Sequence, residues 1–502
     1  MTSPSAEALS GFSLRHPDRL FIDGEWVAPL GGGSIDVVSA HDESIIATVA
    51  HASEADMDLV VAAARRAFDD GPWPRLSPEE RGEWLRRLHT ALEPRVPELV
   101  DAWIQQIGAL ATVAPFVIGG GMDTLAFHAD LAATYPFVTK QAPADGRGVA
   151  MIVREPVGVC VAVVPWNNPF GIMISKVAGA LLAGCPAIMK PAPETPIEAY
   201  IIAEAAEEIG MPKGTIGLVP AGREASDFLV RNPGVDKVSL TGSTLAGKRI
   251  AQVCGERLAR YTVELGGKSA ALVFEDADIE KAADILTQTI TMSAGQVCAT
   301  LSRAVVQDSV HDQLVEAIAR RMSQVRIGDP FDPTAQLGPL AMERQRQRVE
   351  DYIAIGQQEG ARLVYGGRRP EHLAKGWYIE PTLFTEVTSD MRVAREEIFG
   401  PVLSVLRFKD EEDAIRIAND SDFGLYGAVF TRDRERALRV ARRMRTGTVS
   451  HNLFRFDPLL PFGGFKQSGL GREGGAEGVA AFTETKSILL DESESVAAAR
   501  EV

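Results

Sequence analysis

From Val159 onward, short unbroken apolar runs alternate with longer amphipathic ones. VCVAVVPW gives way to FGIMISKVAGALLAGC, PAIMKP to IEAYIIAEAAEEIG, and GTIGLVP and DKVSLTG follow. A strand covered on both faces reads as a continuous hydrophobic run, whereas a crossover helix carries its apolar positions at longer spacing. The alternation predicts a parallel sheet with helical crossovers, the doubly wound architecture of cofactor domains. It restarts after Gly267, where SAALVFE, the helix-like DIEKAADILTQTITM, a glycine-containing turn and SRAVVQ predict a second α/β domain. The segments Val138 to Arg154 and Thr483 to Leu490 are expected to be arms that pair with other elements. The first residues, MTSPSAEALSGFSLRHPDR, are expected to be a frayed or loosely docked arm, and the last twelve, DESESVAAAREV, a loose tail.

Composition narrows the class of protein. The 502 residues correspond to about three domain-sized units, with 45% hydrophobic, 24% charged and 7% aromatic residues. Fifty-two basic against 68 acidic residues leave a formal net charge of -16. Such a field repels phosphate backbones and anionic lipid, so neither nucleic acid nor a membrane surface is an expected partner. No stretch approaches the roughly 18 apolar residues of a membrane span, and the amino terminus lacks the basic and apolar segments of an export signal. Cys160, Cys185, Cys254 and Cys298 form no Cys-x-x-Cys pair, and the eight histidines include no His-Glu-x-x-His. Neither a metal site nor a disulfide framework is indicated, which fits a reducing cytoplasm.

Two glycine motifs invite a phosphate reading. The strand-like KVSLTG runs into GSTLAGKR, which places Gly242, Ser243 and Gly247 at a strand-to-helix turn, where free backbone amides hold phosphate. Close helix packing is the alternative use of these glycines. The same string approaches a nucleotide-triphosphatase loop, but Arg249 stands where a hydroxyl is needed for magnesium. Gly469-Leu-Gly471-Arg-Glu-Gly474 is formally G-x-G-x-x-G, yet it follows no buried strand of a βαβ unit and is expected to be turn structure. The remaining chemistry lies in Cys298 of GQVCAT, Glu264 of VELGGKS and Asn167 of PWNNPF. A thiol, a carboxylate and an amide are the parts of covalent acyl chemistry, although each alone also fits a packed cysteine, a structural carboxylate or a helix cap.

PWNNPF, KPAPETP, TGSTLAG, VELGGKS, GQVCAT, EEIFGPV and PFGGFKQSGLGRE, in that order, resemble the NAD(P)-dependent aldehyde dehydrogenase superfamily. With LFIDGEWV, LGPL and FGLYGAVFT the likeness spans nearly the whole chain. The resemblance implies a Rossmann-like cofactor domain (1–137 and 155–266), an α/β catalytic domain (267–467) and bridging arms (138–154 and 483–490) used in homodimers or homotetramers. It also implies oxidation of an aldehyde to a carboxylic acid. Cys298 matches the family's nucleophile, Glu264 its general base, and Asn167, with the Cys298 backbone N–H, its oxyanion hole. Lys176 and Glu473 resemble a supporting proton-relay pair or a structural ion pair.

For the cofactor, the resemblance points to Pro165, Trp166, Lys190, Gly242, Ser243, Gly247, Leu265, Glu397 and Phe399. Lys190 matches a lysine at the adenine ribose, while Glu397 and Phe399 match residues at the nicotinamide ribose and ring, with core packing an equal alternative for Phe399. Many NAD-preferring relatives carry glutamate three residues beyond the lysine, where this chain has Pro193. NAD is the expected cofactor and NADP stays open, with Arg223 placed near the same ribose. Met292, Phe170, Phe456 and Phe462 fall near the family's aldehyde tunnel and suggest an apolar or aromatic substrate, with core packing an equal alternative for each. Arg455 facing that tunnel would instead suit a semialdehyde. Coenzyme A-dependent acyl transfer and a catalytically silent family member are the alternatives.

Overall fold

A computed structural model describes residues 11–145, 147–457 and 459–491. The largest sheet has eight strands in the order Gly469–Leu470, Arg260–Glu264, Lys237–Thr241, Cys160–Val163, Ala187–Lys190, Ile216–Leu218, Leu20–Ile22 and Glu25–Val27. Its five central strands are parallel. The chain starts in the middle at Cys160–Val163, steps outward twice on one side, then returns to lay two strands on the other. The order therefore reverses between Cys160–Val163 and Lys237–Thr241, the place where open α/β sheets hold ligands beyond their carboxyl ends.

Burial along these strands explains their continuous apolar reading. Cys160 and Ala162 face one layer of helices with Leu181 and Ile201, while Val161 between them faces the other with Leu229 and Val253. Successive side chains alternate between faces, and both faces are dry. Each fully buried Val, Leu or Ile contributes about 1.5–3 kcal/mol relative to exposure.

A second sheet of seven strands runs Arg362–Tyr365, Thr382–Thr385, Val402–Phe408, Arg303–Gln307, Ala270–Val273, Tyr426–Phe430 and Thr448–His451. All its pairings are parallel except Arg362–Tyr365 with Thr382–Thr385. It also repeats the two-faced burial, with Ala271 and Val273 in one cluster and Ala270 and Leu272 in the other. The chain passes from the first sheet to the second through Leu265 to Ser269, between the strands Arg260–Glu264 and Ala270–Val273.

The two expected arms pair with each other. Val138–Gln141, Val149–Pro156 and Thr483–Leu490 form a separate antiparallel sheet, in which Thr483–Leu490 is matched residue for residue to Val149–Pro156.

Two expectations are corrected. The part of the amino-terminal arm that is described is docked: Phe12 and Leu14 pack on the core, the Ser13 N–H donates to Glu98, and the Arg15 N–H donates to the buried Glu204. Gly469-Leu470, expected to be turn structure, is a two-residue strand pairing with Val263 and Glu264. Leu470 and Gly469 supply an antiparallel edge that the parallel strand would otherwise lack. Residues 1–10 and 492–502, which hold the rest of the arm and nearly all of the expected tail, lie outside the described residues. Among the described residues no helix is long and apolar enough to cross a membrane, and no group of three or more His, Cys, Asp or Glu is placed to hold a metal.

Candidate active site

The carboxyl ends of the first sheet deliver most of the residues singled out from the sequence. Cys160–Val163 leads into Pro165, Trp166 and Asn167; Ala187–Lys190 ends on Lys190; Lys237–Thr241 runs into Gly242 and Ser243; and Arg260–Glu264 ends on Glu264. The second sheet faces them with the opposite edge. Cys298 lies just before the strand Arg303–Gln307, and Glu397 and Phe399 lie just before Val402–Phe408. The candidate site is the cleft between these two edges.

The loop that carries Cys298 is held in an unusual backbone. Ser293, Ala294 and Gly295 are consecutive left-handed residues, with φ of 47°, 52° and 71°. Ser293 and Ala294 each oppose a steric cost of about 1 kcal/mol there, and Gly295 is obligatory, since a Cβ would lie 2.3 Å from the Gly400 carbonyl oxygen. The turn releases Gln296, whose side chain is fully committed: its Nε2 donates to Ser293 O at 2.9 Å and its Oε1 accepts from the Ala341 N–H at 2.9 Å. The backbone oxygen of Gln296 in turn accepts from Asn167 Nδ2 at 2.9 Å. Asn167 is thereby fixed beside the cysteine loop, and Trp103 Nε1 holds its backbone oxygen from behind at 3.1 Å. One N–H of the Asn167 amide remains for another acceptor. The two asparagines separate cleanly, because Asn168 alone caps the helix Pro169–Ala183 by accepting from the Gly171 N–H.

Cys298 is half-buried, whereas the other three cysteines are buried. Burial and the neighbouring carboxylates of Glu397 and Glu264 push its thiol up to about 12. Both carboxylates thus act on the thiol through their charge. Glu264 is 3% exposed, and among the described residues neither of its carboxylate oxygens has a hydrogen-bond partner. Burial first, and then the charge of Glu473, raise it well above the usual carboxylate range, with Lys176 and Arg472 opposing. Lys176, buried on the helix Pro169–Ala183, forms a short ion pair with Glu473 and donates to Ser239 Oγ at 3.1 Å. A thiol beside a carboxylate of raised basicity is suited to proton transfer between the two.

The cofactor set divides by surroundings. Lys190 is buried, its amine hydrogen-bonds to no described residue, and burial pushes it down to about 8. A Cβ at Gly242 would meet only ordinary contacts, the nearest being the Leu240 side chain at 3.6 Å. Ser243 caps the helix Thr244–Arg257 by accepting from the Ala246 N–H. Gly247 is explained by packing, since a Cβ would lie 2.6 Å from the buried Leu265 side chain. Trp166 and Phe399 meet edge to face at 5.3 Å, and Pro165 leads into that pair. Glu397 Oε1 accepts from the Gly267 N–H at 3.0 Å, and burial raises its carboxyl to about 7. Arg223 is exposed on the first turn of the helix Arg223–Arg231.

Four aromatic rings form a connected group beside the Cys298 cluster. Tyr426, Phe454, Phe456 and Phe462 are linked by centroid separations of 5.0 to 5.8 Å, and Phe454 and Phe462 pack in the same cluster as Cys298. Phe170 is fully buried in the core of the first sheet, and Met292 is half-buried at the end of the helix Ile279–Thr291. Arg455 points elsewhere: its side chain is 73% exposed and lies 3.8 Å from Asp457.

Comparison with known proteins identifies the family. Residues 26–488 match the model of the aldehyde dehydrogenase family. The chain belongs to the aldehyde dehydrogenase family. A geranial dehydrogenase of Castellaniella defragrans is 41% identical over 94% of this chain and 98% of its own. An aldehyde dehydrogenase of Mycobacterium tuberculosis, solved with NAD+, superposes with a TM-score of 0.93 at 41% identity, covering 96% of this chain and all of that one. A betaine aldehyde dehydrogenase of Staphylococcus aureus, also solved with NAD+, gives 0.93 at 35% identity over 96% of both chains. Membership makes this chain an oxidoreductase acting on aldehydes with a nicotinamide dinucleotide.

Several residues of this aldehyde dehydrogenase cleft carry no signal of their own in the sequence. Gln296 organises Asn167 and the cysteine turn. Gln345 donates to the backbone oxygen of Phe399 at 2.7 Å and so steadies a residue with φ of 63°. Lys268 is buried without a partner and is lowered to about 7 by burial. Gln296 belongs to GQVCAT and Lys268 to VELGGKS, so membership of a motif was the available clue.

Proposed function

We propose that this aldehyde dehydrogenase oxidises an apolar or aromatic aldehyde to its carboxylic acid with NAD, through covalent addition to Cys298. The observation that supports the reading is a half-buried Cys298 thiol under the electrostatic influence of a buried Glu264 whose two oxygens find no hydrogen-bond partner among the described residues. Such a carboxylate opposes folding by a few kcal/mol, and it is free to take a proton.

The residues at the sheet edges suit the dinucleotide. The unpaired amine of Lys190 and the strand-to-helix turn at the half-buried Gly242 and exposed Ser243 suit ribose and phosphate, while Glu397, Trp166 and Phe399 suit the nicotinamide end. When bound, NAD+ supplies a positively charged hydride acceptor. Glu264 takes the thiol proton as the sulfur adds to the aldehyde carbon, giving a thiohemiacetal. The second N–H of Asn167 and the Cys298 backbone N–H face the developing oxyanion, each donor contributing roughly 3–4 kcal/mol in the transition state. After hydride leaves, the substrate is a thioester on Cys298. Glu264 gives up the thiol proton to solvent and then removes a proton from water, which attacks the thioester; that proton passes to the departing Cys298 sulfur as the acid and the thiol are released. Lys176 and Glu473 adjust the Glu264 carboxyl by their charge.

The ring cluster of Tyr426, Phe454, Phe456 and Phe462 supports the apolar substrate class, and the outward Arg455 speaks against a carboxylate-bearing one. We read the first sheet with its helices as the cofactor domain, the second as the catalytic domain, and the antiparallel sheet as the surface through which homodimers or homotetramers assemble. The deciding experiment is acid quench with mass spectrometry. Acyl-Cys298 should accumulate in Glu264→Gln given aldehyde and NAD, with water rather than coenzyme A as the acyl acceptor in the native enzyme. Unchanged turnover in Glu264→Gln would overturn its role.

A further inference from the structure

Position 193 is proline, so the turn after Ala187–Lys190 offers no carboxylate three residues beyond Lys190, but the next residue is Glu194. Its side chain is three-quarters covered, and Oε1 accepts from Arg344 Nη2 at 2.5 Å. Arg344 sits in the first turn of the helix Glu343–Gln358, which precedes the strand Arg362–Tyr365 of the second sheet. The ion pair therefore bridges the two sheet layers beside Lys190. Glu194 also acts on the Lys190 amine, opposing the effect of burial. One carboxylate stands between two cations.

Arg344 differs from the arginines near it. Arg348 donates to the backbone oxygens of Glu397 and Ile398, and Arg392 is clasped by Glu396 on its own short helix. Among the described residues, the Arg344 side chain hydrogen-bonds only to Glu194. A groove of about 360 Å³ opens beside it and is lined by all three arginines.

We infer that the Glu194–Arg344 ion pair selects between NAD and NADP at the adenine ribose. This rests on the reading of Lys190 as the adenine-ribose end of the cofactor site. With the pair closed, Glu194 accepts from the ribose hydroxyls and repels a 2′-phosphate, the service an acidic residue performs in dinucleotide folds. Arg344 holds that carboxylate in place and is itself occupied. With Glu194 neutral, Arg344 is released, and a guanidinium is well matched to phosphate geometry. Selectivity thus belongs to a pair whose members come from different layers, and removing either member has a different result.

The test measures binding of AMP and adenosine 2′,5′-bisphosphate to the full chain by calorimetry, with NAD and NADP kinetics alongside. The native protein should bind AMP more tightly than the bisphosphate. Glu194→Gln should move the ratio toward the bisphosphate by about tenfold or more, because like-charge repulsion is replaced by a free guanidinium. The double variant Glu194→Gln/Arg344→Gln should lose most of that gain. A ratio that stays within twofold in Glu194→Gln, or a double variant that keeps the gain, would overturn the inference while leaving the NAD reading intact. Failure of the native protein to bind AMP or NAD at all would overturn both.

Discussion

Glu264 Oε1 occupies the space that a side chain at Gly463 would need: a Cβ there would lie 2.6 Å from the oxygen. Gly463 belongs to PFGGFKQSG, 199 residues downstream in sequence, and the Glu264 carboxylate has no hydrogen bond to hold it instead. Steric confinement positions this base. Gly463→Ala should therefore lose turnover by about tenfold or more, because even a displacement near 1 Å is costly in catalysis, and should also cost some local stability, since the Cβ would lie 2.9 Å from the Gly471 carbonyl oxygen. Steady-state rates with an unchanged circular dichroism spectrum check this.

Glu264→Gln separates chemistry from stability. Turnover should fall on the order of 10²–10⁴-fold, the scale of a lost general base. The protein should meanwhile become more stable near pH 8 by about 1–3 kcal/mol, since a buried, unpaired carboxylate is removed. The sign follows from the raised carboxyl. The folded state favours the protonated acid, so the native protein loses stability as pH rises above the ordinary carboxylate range toward the folded value. Denaturant melts across pH should show that slope in the native protein and a weaker one in the variant.

The Cys298 thiol, held at about 12 in the ligand-free protein, should be alkylated slowly at neutral pH. Its rate with iodoacetamide should keep rising beyond pH 9, where an ordinary thiol levels off, because only the thiolate reacts. Addition of NAD+ should speed the reaction at neutral pH by placing positive charge near the sulfur. A profile that levels off near pH 8.5 without NAD+ would contradict the electrostatics of Glu264 and Glu397. Cys298→Ala provides the background, as the other three cysteines are buried.

Asn167→Ala should lower kcat by about 10²–10³-fold, the loss expected for one oxyanion donor. Asn168→Ala should affect stability by about 1 kcal/mol through the lost helix cap. Opposite assignments from kinetics and melting temperature would exchange the roles of the two neighbours.

The antiparallel sheet carries exposed Leu489, Leu490 and Val138. Exposed apolar side chains on a sheet edge favour pairing with another chain. Leu489→Lys should shift sedimentation toward smaller species while leaving the fold unchanged.

The alternating apolar runs made the two parallel layers legible, because strands dry on both faces cannot hide in a sequence. Val161 and Ile188 facing one cluster while Cys160 and Met189 face another is that pattern realised. Residues acting through the backbone were less visible. Gln296 and Gln345 are ordinary amides until the fold brings carbonyl oxygens to them. Gly247 and Phe170 had two readings, and their surroundings are those of packing: Gly247 against Leu265, Phe170 in a sealed core. The pairing of Gly469 and Leu470 with Val263 and Glu264 depended on a contact more than 200 residues away in sequence, which no local motif encodes.

The passage from the first sheet to the second is clamped on both sides. A Cβ at Gly266 would lie 2.3 Å from Glu397 Oε2, and one at Gly267 would lie 2.4 Å from the Cys298 carbonyl oxygen. The two glycines thus act as a gauge block, setting the gap between the layers at the thickness of a bare main chain. The spacing between the two layers is inherited from the polypeptide itself, and under the proposed function adaptation to new aldehydes falls to the ring cluster of Tyr426, Phe454, Phe456 and Phe462 rather than to that gap.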